Sequence, residues 1–67
     1  MAHNEVYKWF ISYFPAYSEE NLDAWFPNGK NSIRVRHKSG REYVFTFQNP
    51  SVWSFETLKS FMERGAN

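Results

Sequence analysis

Between Ser32 and Gln48, apolar and polar residues alternate on both sides of a Lys38-Ser39-Gly40 break. A period of two belongs to a half-buried strand, and two such runs around a short Gly-containing break make a β-hairpin. The strands are read over Ser32–His37 and Glu42–Gln48. Loop length then fixes the phase. A two-residue Ser39-Gly40 loop sets Arg34 opposite Phe45 and Arg36 opposite Tyr43, mixing charges and rings on one face. A three-residue loop is a type I turn followed by Gly40 in the left-handed region. It sets Val35 opposite Tyr43 and Ile33 opposite Phe45. Ile33, Val35, Tyr43, Phe45 and Phe47 then share one face, while Arg34, Arg36, Glu42, Val44, Thr46 and Gln48 share the other, with Arg36 opposite Glu42. A slip of one residue moves every side chain to the wrong side. The three-residue loop is the expected one because it alone gives a continuous apolar face.

A lone hairpin is marginal in water, so that face needs cover, and three flanking segments read as helices. Over Asn4–Phe14, Asn4 is the expected N-cap, Glu5 sits at the positive end, and Val6, Phe10 and Phe14 recur at i, i+4, i+8 until Pro15 stops the run. Over Ser18–Phe26, Ser18 reads as a cap, Glu19 and Glu20 as an acidic first turn, and Leu22, Trp25 and Phe26 as a stripe. Pro27-Asn28-Gly29 breaks the chain. Over Ser54–Arg64, Ser54 reads as a cap, Phe55, Leu58 and Met62 as a stripe with Phe61 beside it, and Gly65 as the terminator. The expected fold is α+β in the order α-α-β-β-α, with the hairpin covered on one face by helices.

The 67 residues suffice for one domain, read over residues 1–67. A chain this short usually needs a staple or an unusually dense core. Cysteine is absent, which excludes disulfides and thiolate zinc sites. The density comes from 7 Phe, 4 Tyr and 3 Trp, 21% of the chain, each ring burying about 150–250 Å² when fully inside. No apolar run is long enough to cross a membrane. Met1–Glu5 lacks the basic start and apolar stretch of a signal peptide. A cytoplasmic location is therefore expected.

Little in the chain points to catalysis, and no cofactor or metal is expected. His3 lies near the terminus and His37 at a turn, with no cysteine to act as nucleophile. Glu19, Glu20 and Asp23 read as a solvated acidic turn rather than a cation site. The histidine of Met1-Ala2-His3 matches a short copper-binding pattern that arises often by chance. The glycines read as turns and a cap, with no phosphate-binding loop.

Two features point to binding instead. Residues 30–48 carry Lys30, Arg34, Arg36, Lys38 and Arg41 against Glu42 alone, a net +4 in a chain whose total is +1. The rings, moreover, exceed what a small core can hold, and surplus Trp and Tyr are typical of binding hot spots. The expected contact surface combines Arg34, Arg36, Lys38 and Arg41 of the hairpin with Trp9 and Tyr13 of the first helix. The expected function is a non-enzymatic protein-binding module of inhibitor or adaptor type. The alternative is a nucleic-acid-binding domain using the basic hairpin, and self-association through the first helix is a further possibility. In size and composition the chain resembles small accessory proteins of phages and mobile elements, a likeness that no motif carries.

Overall fold

The computed structural model describes residues 1–18 and 20–65. Helix α1 spans His3–Tyr13. It is followed by a single 3-10 turn, Pro15–Tyr17, then strands β1 (Leu22–Pro27), β2 (Ser32–His37), β3 (Glu42–Asn49) and β4 (Val52–Thr57), and helix α2 (Leu58–Gly65). The strands form one antiparallel meander in the order β1-β2-β3-β4.

The hairpin has the expected phase. Ile33 faces Phe45, Val35 faces Tyr43 and Arg36 faces Glu42. The Gly40 N–H donates to the His37 carbonyl at 2.9 Å, which closes the type I turn. Gly40 has φ +94°, the left-handed conformation that a side chain resists.

The α+β class stands, and the element order is α-β-β-β-β-α rather than α-α-β-β-α. Two segments read as helical are strands. Leu22–Pro27 pairs with β2, and a bulge between Leu22 and Ala24 explains the misreading. The extra residue brings Leu22 and Trp25, three apart, onto the same face, a spacing that imitates one turn of helix. Of the apparent acidic cap there, Glu19 lies outside the described residues. In Val52–Thr57, Phe55 faces Phe45 and Trp53 faces Phe47 across the ladder. Helix α2 therefore starts at Leu58, capped by the Thr57 hydroxyl, which accepts the Ser60 N–H at 3.1 Å. At the other end of the chain, α1 begins before Asn4. Ala2 holds the cap position without a side-chain bond, and the His3 imidazole Nε2–H donates to the Gly29 carbonyl at 2.7 Å.

Alternation gives the sheet two unlike faces. On one, Val6 and Phe10 of α1 pack with Leu22, Ile33, Val35, Phe45 and Phe47, all buried. Phe10 meets Phe45 edge-on at 5.4 Å between centroids and lies within 6.0 Å of Phe14, Tyr17 and Phe55. On the other face, α2 crosses β3 and β4. Its Arg64 is ion-paired with Glu56, which lies opposite Val44 in the ladder. Val44 is fully buried there, outside the core beneath α1.

Candidate interaction surface

The outer face of β1 and β2, away from α1, is formed by Ala24, Phe26, Arg34 and Arg36, with Ser32 buried at the start of β2. Phe26 and Arg34 are ladder partners, as are Ala24 and Arg36. Both guanidinium groups lie over the Phe26 ring, Arg34 at 4.9 Å and Arg36 at 5.4 Å from its centroid, within the range where a cation is drawn to the negative face of an aromatic ring. Each arginine also has a carboxylate. The Arg34 Nε lies 3.4 Å from Glu42, an ion pair rather than a hydrogen bond. The Arg36 guanidinium donates to the Asp23 carboxylate at 3.3 Å. The β1 bulge supplies this second acid: Asp23 is the extra residue between Leu22 and Ala24. Two cations, two anions and a ring thus make a half-exposed cluster whose charges cancel. Exposed ion pairs contribute at most about 1 kcal/mol each to stability, so the cluster chiefly holds the arginines in one conformation.

Lys38 and Arg41 flank the hairpin tip, exposed and without an ion pair among the described residues. The tip is held by His37, whose Nδ1 accepts the Ser39 N–H at 3.1 Å and lies 2.9 Å from the Ser39 hydroxyl. His37 also meets Tyr17 edge-on at 5.5 Å. Burial, with help from a hydrogen bond and the charge of Tyr43, raises the Tyr17 hydroxyl above the usual tyrosine value, while Arg41 opposes the shift.

Trp9 and Tyr13 lie on the other side of the sheet. Trp9 stacks on Phe47 at 4.8 Å and Tyr13 stacks on Trp53 at 5.0 Å. Both are half-buried, so these rings seal the end of the core. The sheet separates them from Arg34 and Arg36, and the surface expected to combine the two sets is divided between opposite faces. Phe26 and Asp23, which complete the arginine cluster, were hidden inside the segment read as helix. The alternation Ala24, Phe26 against Asp23, Trp25 was the available signal, disguised by the bulge.

The two histidines are at opposite ends of β2, with His3 against the Gly29 carbonyl and His37 at the hairpin tip. A groove beside α1 is lined by Tyr7, Lys8, Ile11, Ser18 and Glu20, and among the described residues no histidine lies there to activate a hydroxyl. Among the described residues no cluster of three His, Asp or Glu side chains is arranged to hold a metal ion, and no helix is long and apolar enough to cross a membrane. No protein-family model, curated protein or solved structure matches the chain.

Proposed function

We propose that this chain is a cytoplasmic, non-enzymatic protein-binding module of inhibitor or adaptor type, with the outer face of β1 and β2 as its contact surface. The observation that carries the reading is Phe26 clasped by Arg34 and Arg36, each guanidinium held by a carboxylate. Arginine and aromatic residues dominate the energetics of protein interfaces. Side chains already held in place lose less freedom on binding. The internal cancellation of charge favours a protein over a nucleic acid, because phosphate binding draws its strength from uncompensated positive charge.

The test is affinity capture with the parent chain and the double variant Arg34→Ala, Arg36→Ala side by side. A protein recovered in stoichiometric amount by the parent and lost by the variant supports the reading. Recovery of none, or equal recovery by both, counts against it. Fluorescence anisotropy with single- and double-stranded oligonucleotides at low salt provides the opposing arm. Binding that falls steeply with added salt and depends on Lys38 and Arg41 would replace a protein partner with a nucleic acid.

A further inference from the structure

A four-stranded meander has two edges, and here they are treated differently. The β1 edge is blunted by the bulge at Leu22–Ala24 and by Pro27, which has no N–H to offer. The β4 edge carries none of these devices. Val52–Thr57 contains no proline, glycine or lysine, and it pairs with β3 without interruption from Trp53 to Thr57. Helix α2 crosses the face of β3 and β4 instead of lying along the edge. Among the described residues, no backbone hydrogen bond from a turn or loop reaches β4. Val52 is 48% and Trp53 42% exposed, two of the few large apolar side chains among the described residues that are so open. An exposed, flat, apolar edge strand is a template for another strand.

We infer that the occupant is β4 of a second copy, paired antiparallel about a two-fold axis at Ser54. The strand is close to symmetric about that residue: Trp53-Ser54-Phe55 reads as ring, hydroxyl, ring in both directions. In this register Ser54 meets Ser54 of the second copy, and Trp53 meets Phe55 twice, on the face that carries α1. Cross-strand aromatic pairs of this kind stabilise a sheet. Val52 meets Glu56. Glu56 is the single charged residue of the strand and is already neutralised by Arg64 of its own chain, so no like charges meet. The blunted β1 edge stops the association at two copies, because a head-to-tail β1–β4 contact would otherwise propagate into a filament. The product is a closed dimer with one continuous sheet of twice four strands. It leaves the Phe26 face of each copy free, on the far side of β2, and stands or falls independently of the function proposed above.

The test uses Ser54, which is exposed and can be replaced without disturbing the core. Ser54→Lys and Ser54→Asp each set like charges against each other at the two-fold axis. Sedimentation equilibrium at about 100 μM should give twice the 8.0 kDa chain mass for the parent. Each variant alone should give the single-chain mass, with far-ultraviolet circular dichroism unchanged. An equimolar mixture of the two variants should recover the dimer, because opposite charges then face each other. A parent that stays monomeric overturns the inference, including one that accepts a strand from a different protein at this edge. So does a dimer that persists in both variants, or a mixture that fails to reassociate.

Discussion

The two faces of the β2–β3 hairpin are built from the same short stretch of chain and are held by different physics. Beneath α1, Ile33, Val35, Phe45 and Phe47 are buried against Val6 and Phe10 without a charged group among them. That side draws on apolar area removed from water and on close ring packing. On the outside, Arg34 and Arg36 lie over Phe26 and beside Asp23 and Glu42, about a third exposed. Polar and charged contacts there are screened and contribute little stability. The inner face carries the main core, and outside it, among the described residues, only Val44 is sealed in the same way, so the arginine half of the outer face is free to vary with what it touches.

The largest effect on this contrast comes from Phe10→Ala. It removes the ring that joins α1 to the sheet and should cost about 3–5 kcal/mol. A domain of this size has about 3–10 kcal/mol in all, so the variant should be largely unfolded in urea titrations that leave the parent intact. A loss under about 1 kcal/mol would show that α1 is dispensable to the core. A smaller effect of opposite sign is expected from Tyr13→Phe. The Tyr13 hydroxyl is buried without a hydrogen-bond partner, and such a group costs about 1–3 kcal/mol. Its removal should raise the urea midpoint by an amount equivalent to about 1 kcal/mol, and a fall would mean that the hydroxyl has a role. The smallest effect belongs outside. Arg36→Ala should change stability by under about 1 kcal/mol, and a loss as large as that of Phe10→Ala would erase the contrast between the faces.

The hairpin was legible because its signals agree. Gly40 marks the left-handed position, and only one loop length puts Ile33, Val35, Tyr43, Phe45 and Phe47 together. The neighbouring strands were illegible because their local signals agree on the wrong answer. Ser18 and Ser54 stand where helix caps stand, and acidic residues follow them. The bulge then gives Leu22 and Trp25 a helix-like interval on one sheet face. What decides these segments is the demand of β2 and β3 for partners along their open edges, which local patterns do not carry. The site followed the same division. Arg34 and Arg36 were placed on the outer face by the hairpin's phase, whereas Phe26 and Asp23 could be seen only once β1 was a strand. Glu42 shows the limit of register itself. It faces Arg36 in the ladder, yet its carboxylate lies beside Arg34, and Arg36 turns to Asp23.

The meander order has a consequence for how the chain comes into being. Each strand is laid beside the one made just before it, so the sheet can grow in the direction of synthesis with short loop closures. Helix α1 is the exception. It is made before the sheet, yet the residues that shelter Val6 and Phe10 lie mainly on β2 and β3, and the last of these, Phe47, is added only after β2 is complete. Until β3 is made the apolar side of this helix lacks the sheet that covers it, and in that interval the growing chain is exposed to chaperones and to misassembly.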